Sequence, residues 1–463
     1  MLTLVFAALV VATVIWLISR RPAAALAAFL IVFALTTRTL SLIYVDLAGP
    51  MYAVELGDYV GGGQSMPLFA CSVLTLLIPL AYLFRPAYLQ QLRNRITASP
   101  LPSKRRIANI AFMALCLFLI ALYLDMFLRG PIPLISGMDR LEYNKLFAGP
   151  LHPLVFEHGF LFAAPIGCLF VYPRLSGKDF DFRFVGLLVA FLLYFALTGN
   201  RFSAFFAFSS FFVLPLAAVL ALRSARALPP PPRRTSRWKS ILVSRSGLHL
   251  ALISGSALIL MLLLNSFVTV RGYDDPTQQF QQRTLIQPVE LWWTTWNGLA
   301  DRLSDSFDDT WDYLFVNAID PKRNTSIQML MARNLGYDRA SDLIDLGQQY
   351  AGGYPEVLFE LLGPWFALPV ALAFGIITAM LIRLIVESVC LGKFATAFFA
   401  LYVYDPFSIL YIGGMLNFLI AWTFWAKCGV LLLLYILGRY RARREKTRER
   451  RRAISGNAAT TLV

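Results

Sequence analysis

Long apolar runs broken by short polar loops repeat along most of this chain, and runs of that length with almost no charge are the pattern of helices that cross a bilayer. They are Leu2–Ile18, Ala23–Tyr44, Met66–Leu83, Ile107–Leu128, His158–Tyr172, Leu250–Val270, Glu356–Val386, Phe394–Ile412 and Leu416–Leu437. With a stretch that ends at Thr198 and another that returns from Phe202, they predict about eleven spans in an all-α, polytopic transmembrane helix bundle. The predicted order is a transmembrane half with spans one to seven over residues 1–222, a basic Pro-rich linker over 223–249 and span eight over 250–270. A large polar loop over 271–354, spans nine to eleven over 355–438 and a basic tail over 439–463 complete it.

The stretch from Arg271 to Tyr354 is the one long exception to the pattern. Within it Trp292, Trp296, Leu299, Leu303, Phe307, Trp311 and Leu314 follow Pro288 at steps of three or four, while Asp301, Asp305, Asp308, Asp309 and Asp312 fall mainly off that stripe. Such a period predicts an amphipathic helix, and Pro288 suits its first turn because the missing N–H is not needed there. It fits a helix packed on its neighbours and a lid over a site equally well. A second short helix is expected from Ser326 to Leu335, closed by Gly336.

Composition fixes the class. Hydrophobic residues make up 58% of the 463 residues and charged ones 15%, too apolar for a water-soluble domain of this length. The formal charge of +15 resembles that of a nucleic-acid binder, yet the cations sit in short loops, where they set membrane orientation. Nucleic acid is therefore excluded as a partner. The polar stretch carries seven Lys or Arg against twelve Asp or Glu, a net charge of −5, and so belongs on the other side of the membrane from the basic loops. Placing the basic loops inside puts 29 of the 42 Lys and Arg there, which predicts an N-out, C-in chain with the acidic loop outside the cytoplasm. Leu2–Ile18 has no charge before it and Arg20 and Arg21 after it, the reverse of a cleavable signal peptide. Cys71, Cys116, Cys168, Cys390 and Cys428 all fall in apolar runs without CxxC spacing, and only His152, His158 and His249 are present, so neither a disulfide framework nor a metal centre is expected.

The outer loops contain no Walker, GxSxG or HExxH motif, and no cofactor is expected. A reaction there would need a pre-activated substrate. Arg129, Arg140, Arg201, Arg271 and Arg283 lie beside membrane ends and Arg38 lies inside span two. Guanidinium forks match phosphate oxygens, so converging arginines at a lipid surface suit a polyprenyl diphosphate head group. Snorkelling or pairing with an acid explains any one of them as well. Arg38 and Arg201 stand out, the first because an unpaired charge inside a span is expensive and the second because it occupies a tight turn. Glycosyl transfer also needs a base to take the proton of an acceptor hydroxyl, and Glu142, Glu157, His158, Asp274 and Glu360 are candidates. Asp125, Glu387 and Lys427 fall in or near spans and fit either mutual pairing or the path of a transporter.

Two stretches, Leu197–Ala204 (LTGNRFSA) and Ala351–Trp365 (AGGYPEVLFELLGPW), resemble bacterial O-antigen or oligosaccharide repeat-unit polymerases of the Wzy type. The first is similar to that family's arginine turn and the second to the segment closing its large periplasmic loop. The resemblance implies a GT-C-like, metal-independent integral-membrane glycosyltransferase in the bacterial inner membrane. It would act at the periplasmic face on undecaprenyl-diphosphate-linked oligosaccharides, beside a flippase and a chain-length regulator of the same pathway. Arg201 maps onto the arginine turn, and Gly352, Gly353, Glu360 and Gly363 map onto the loop-closing segment. The Arg-x10-Gly spacing of some members is not found at Arg129, Arg140, Arg271 or Arg283. An O-antigen-ligase-like transferase, a flippase of lipid-linked sugars and a noncatalytic scaffold of an export complex are the alternatives.

Overall fold

The computed structural model describes residues 1–98, 105–138, 140–200, 202–224, 281–299, 308–320, 325–345, 352–438 and 440. Span eight, most of the linker, the basic tail, Asp274, Leu303 and Phe307 lie outside the described residues.

The first apolar run forms α1 (Leu2–Arg20), and the second is split into α2 (Pro22–Ala27) and α3 (Phe29–Ala48) at Ala28. Gly49 ends α3 with φ 88°, a backbone that L side chains rarely adopt. The loop beyond it, expected to be irregular, contains an antiparallel hairpin of β1 (Met51–Ala53) and β2 (Asp58–Val60), in which Tyr52 faces Tyr59. α4 (Met66–Leu83) begins with Pro67 in its first turn. Asp46 ties the start of α1, the end of α3 and the start of α4 together: its carboxylate accepts from Thr3 Oγ1 (3.0 Å), Ser65 Oγ (2.9 Å) and the Met66 N–H (3.1 Å). Three donors are what a buried carboxylate requires in place of water.

α5 (Pro86–Ala98) and α6 (Arg105–Arg129) follow, and then three short helices, α7 (Pro133–Ser136), α8 (Arg140–Leu146) and α9 (Leu151–Glu157). The fifth predicted run, His158–Tyr172, is α10 (Phe160–Leu175), and α9, which lies before that run, meets it at 71°. α11 (Arg183–Leu197) leads to α12 (Phe202–Val213) and α13 (Leu216–Ser224), a second pair bent by 41° around Leu214 and Pro215. After a π-helical turn at Gln282–Ile286 come α14 (Glu290–Asn297), α15 (Asp308–Ile319), α16 (Ser326–Leu335) and α17 (Tyr337–Asp345). α18 (Glu356–Cys390), α19 (Phe394–Gly413), α20 (Asn417–Ile420) and α21 (Trp422–Gly438) end the described chain.

Among the described residues six helices are long and apolar enough to cross a membrane, or eight if each bent pair is one span, as expected of an all-α multi-pass membrane protein. α18 packs against α4 and α19, and α1 against α4 and α3. Small residues permit these approaches: a Cβ on Gly375 of α18 would stand 2.1 Å from the Thr75 carbonyl oxygen of α4, and one on Gly167 of α10 would stand 2.1 Å from that of Phe212. Between apolar helices in lipid, close backbone packing of this kind replaces the missing hydrophobic drive.

Two expectations for the polar loop fare differently. α16 spans Ser326–Leu335 with Gly336 after it at φ 81°, as read from sequence. The single amphipathic helix from Pro288 to Leu314 is not found, because α14 stops at Asn297 with the Gly298 N–H bonded back to the Thr294 carbonyl. The tryptophans of that stripe face different surroundings: Trp292 is fully buried, whereas Trp311 on α15 is 58% exposed. Glycine after a last helical turn, with its low helix propensity, outweighs the periodicity.

Candidate functional site

The C-terminal end of α3 and the N-terminal ends of α4 and α18 meet under a cap built from the β-hairpin, the π-helical turn and α14 to α17. The centre of this junction is Arg38, which lies nearly three turns before the end of α3 and is 4% exposed. Its Nε donates to the Pro288 carbonyl at 2.8 Å, its Nη1 to the Tyr354 carbonyl, and its Nη2 to the Glu356 carboxylate. The guanidinium also lies 5.3 Å from the centre of the Phe69 ring on α4. A fork with several N–H donors can satisfy a carboxylate and two carbonyls at once, which lysine cannot. One side chain thus fastens both ends of the cap segment, at Pro288 and at Tyr354, to the membrane bundle.

Glycines make this approach possible. Gly352 has φ 105°, and a Cβ there would stand 3.2 Å from Arg38 Nη2 and 3.1 Å from the Pro288 carbonyl oxygen. Gly353, at φ 120°, lies against Gly413 and Gly414: a Cβ on it would stand 2.9 Å from the Gly414 Cα, and one on Gly414 only 2.2 Å from the Gly353 carbonyl carbon. Tyr354, joined to Pro355 by a cis peptide, donates its hydroxyl to the Ser72 carbonyl of α4 at 3.2 Å and packs edge-on to Tyr411. Gly363, at φ 66°, kinks α18 just before Pro364.

One turn into α18, Glu360 is 6% exposed, accepts from Thr295 Oγ1 of α14 at 2.7 Å and faces Arg333 Nη1 of α16 at 3.4 Å. The same Arg333 atom donates to the Glu360 carbonyl at 2.8 Å, and Thr310 of α15 donates to the Leu361 carbonyl at 2.6 Å. α16 is itself fixed by a capping box between Thr325 and Gln328. Its Ser326 hydroxyl accepts from the Leu416 N–H at 2.8 Å. α14, α15 and α16 are therefore bonded to α18 or to the segment after α19, while Arg339 of α17 donates to the Leu56 carbonyl of the hairpin at 3.0 Å.

The cap also carries buried polar atoms that have no hydrogen-bond partner among the described residues: Arg283 Nε, one Glu290 carboxylate oxygen and the indole nitrogens of Trp292 and Trp293. Glu290 is 1% exposed, and burial, reinforced by Glu55 nearby, pushes its carboxyl up to about 9. At neutral pH it is a carboxylic acid, able to donate as well as accept.

Of the residues singled out from sequence, Arg38, Gly352, Gly353 and Glu360 come together in this junction. Arg283 sits in the π-helical turn, half-buried, and its neighbour Gln282 bonds the hairpin backbone at Tyr52. Arg129 instead pairs with Asp125 one turn earlier on α6, and Glu142 and His158 are exposed on the α8 and α9 segments. Arg140 begins α8. Arg201 and Arg271 lie outside the described residues. Asp125, Glu387 and Lys427 do not pair with one another: Asp125 meets Arg129, Glu387 meets Arg95 of α5, and Lys427 lies 4.0 Å from the centre of the Tyr402 ring and near enough to act on Asp405 of α19.

Sequence reading missed Glu356, Glu290, Arg333 and Thr295. Arg38 supplied a signal for the first, since a cation inside a span demands an anion, and Glu356 opens the last apolar run but two. It also missed His152, which is 3% exposed, bonded through Nδ1 to the Tyr194 hydroxyl at 2.8 Å and stacked on Phe156. Among the described residues no group of histidine, cysteine, aspartate and glutamate could hold a metal ion.

A family model described as a family of unknown function (DUF6418) matches residues 320–427, from the end of α15 through α16, α17, α18, α19 and into α21. No curated protein and no solved structure matches the chain.

Proposed function

We propose that this chain is a membrane glycosyltransferase that polymerises polyprenyl-diphosphate-linked oligosaccharide repeat units at the outer face of a bacterial inner membrane. The observation that carries the reading is the Arg38–Glu356 pair. It pins the segment resembling the polymerases' loop-closing motif, residues 352–363, to the mouth of the helix bundle and beneath a tryptophan-bearing cap. A lipid-linked donor presents its diphosphate at just that level, between apolar helices and a polar exterior.

In the transfer, an acceptor hydroxyl oxygen attacks the anomeric carbon of the donor sugar, the bond from that carbon to the diphosphate oxygen breaks, and polyprenyl diphosphate leaves. The hydroxyl proton passes to a base. Cations must stabilise the departing diphosphate in place of a metal. Arg283, whose Nε has no partner among the described residues, takes this role together with Arg201, Arg271 and Arg140. Arg38 does not, because its three nitrogens already bond to protein, and it acts by positioning the segment. Glu360 is likewise held by Thr295 and Arg333 and serves the cap, which leaves the exposed Glu142 and His158 as bases that an acceptor arriving from outside can reach. The eleven-span, N-out and C-in topology belongs to the same proposal and puts the acidic loop on the outer side.

Cells lacking the gene and complemented with Arg283→Lys or Arg201→Lys test it. Both variants keep the charge and lose the fork, so surface glycan is expected to shorten to single repeat units while membrane levels of the protein stay normal. Long chains in both variants would overturn the assignment of these arginines to the leaving group.

A further inference from the structure

The outward-facing side of the cap carries aromatic pairs that packing alone does not use up. Trp293 and Trp296 on α14 have ring centres 6.1 Å apart, edge to face, and both are only half-buried. Glu290 lies one turn before Trp293 on the same helix face, since residues three apart are neighbours on a helix. The glycine run after the hairpin passes close against these rings: a Cβ on Gly63 would stand 2.7 Å from the Trp296 ring and 3.4 Å from the Trp293 nitrogen. Glu55, at the hairpin tip, is near enough to act on the Glu290 carboxyl. On the hairpin itself Tyr52 and Tyr59 pair across the strands at 5.5 Å and are 49% and 62% exposed.

Two kinds of atom remain unanswered on this face. The Trp293 indole N–H is a pure donor, and the Glu290 oxygen belongs to a side chain 99% buried that, as an acid, both donates and accepts. Leaving such atoms without a partner costs about 1–3 kcal/mol each, so their persistence beside half-open rings points to a ligand that answers them. A sugar does so: its C–H face lies on an aromatic ring and its hydroxyls give and take hydrogen bonds at the edge. A phosphate, being all acceptor, would use the donors but not the rings.

We propose that Trp293, Trp296 and Glu290 form a glycan-binding platform on the cap, which Tyr52 and Tyr59 extend to a further sugar of the same oligosaccharide. The platform deepens the function proposed above and rests on it for the source of the glycan, the repeat unit beyond the diphosphate. Grip at a distance from the reacting carbon aligns acceptor or donor without taking part in bond making, which is the use such binding energy has in catalysis.

The test uses the purified full-length protein in lipid nanodiscs and, as probe, the soluble oligosaccharide freed by mild acid from lipid-linked repeat units of the native membrane. Saturable binding, read by saturation-transfer NMR, is expected for the parent protein. At least a tenfold loss of affinity is expected for both Trp293→Phe, which keeps an aromatic ring but removes the indole N–H, and Glu290→Met, which keeps the length of the side chain but removes its donor and acceptor, whereas Glu290→Gln, which still donates and accepts, is expected to keep its affinity. Trp16→Phe, an exposed tryptophan towards the end of α1 opposite the Thr3–Asp46 contact, is expected to bind normally. Absence of saturable binding to the parent protein, or unchanged affinity in Trp293→Phe and Glu290→Met, would overturn the platform. Binding with the expected losses but no polymerisation of lipid-linked units would leave the platform standing and remove the polymerase reading.

Discussion

Replacing Arg38 by alanine should release the end of the cap from the membrane bundle, and the size of the effect follows from what the guanidinium holds. Its partner Glu356 is fully buried, and one of the Glu356 oxygens already has no hydrogen bond, so the variant leaves an uncompensated carboxylate in an apolar site. Breaking a buried ion pair by removing one partner costs about 3–5 kcal/mol, and the orphaned Pro288 and Tyr354 carbonyls add to it. Because the damage is local, it should appear as local opening. Amide hydrogen exchange of a peptide covering residues 352–361 is expected to speed up by roughly 10²–10³-fold, with α1 and α4 unaffected. Glu356→Gln should give a similar change, since it leaves the guanidinium buried without its anion. The Arg38→Met, Glu356→Met double variant should recover much of the loss, because exchanging a buried pair for apolar groups is often near neutral. Strict additivity of the two single effects, or exchange in Arg38→Ala equal to that of the parent, would refute the reasoning.

Three further outcomes follow from other parts of the fold. Glu290, pushed up to about 9, is destabilised in its ionised form, so its contribution to stability is complete below the unfolded value near 4.5 and is lost as pH rises towards 9. Glu290→Gln removes that slope and should gain about 3 kcal/mol over the parent between pH 5 and pH 7, read as a widening difference in thermal midpoint in detergent; parallel midpoints would contradict a protonated Glu290. Gly353→Ala and Gly414→Ala place a Cβ into facing backbone, which cannot give way, and both should lower the yield of folded protein on size-exclusion chromatography far more than Gly429→Ala, which meets open space. Thr325→Ala deletes the capping box of α16 and should cost about 1 kcal/mol, visible as faster exchange at residues 326–329 and nowhere in the spans.

The boundaries of α1, α4, α16 and α19 were legible because each rests on one local rule: an apolar run of bilayer length, a proline in the first turn, a glycine after the last. Bends were not legible. The bend at Leu214–Pro215 lies within apolar sequence, where hydropathy carries no information about direction, the helix before the bend at His158–Gly159 is too short to read as a span and lies ahead of the predicted run, and the hairpin at residues 51–60 is too short for an alternating pattern to register. The tryptophan stripe misled for a related reason. Periodicity counts residues without regard to which neighbour each one meets, and Gly298 lets α14 turn away before Trp311. At the site, Arg38 announced itself by its cost in a span, but the identity of its anion, more than three hundred residues away in sequence, could come only from the fold. Glu290 lay hidden because an acid among tryptophans in a polar loop looks solvated until its burial is known.

The most direct measurement reconstitutes the purified protein in liposomes with its native undecaprenyl-diphosphate-linked repeat units, without nucleotide or added metal, and follows both products. The account predicts a ladder of dimers and longer glycans on a sizing gel, one undecaprenyl diphosphate released per new linkage, and loss of both in Arg283→Lys. Repeat units that cross the bilayer without lengthening, or a ladder equally strong in that variant alongside Arg201→Lys, would contradict it.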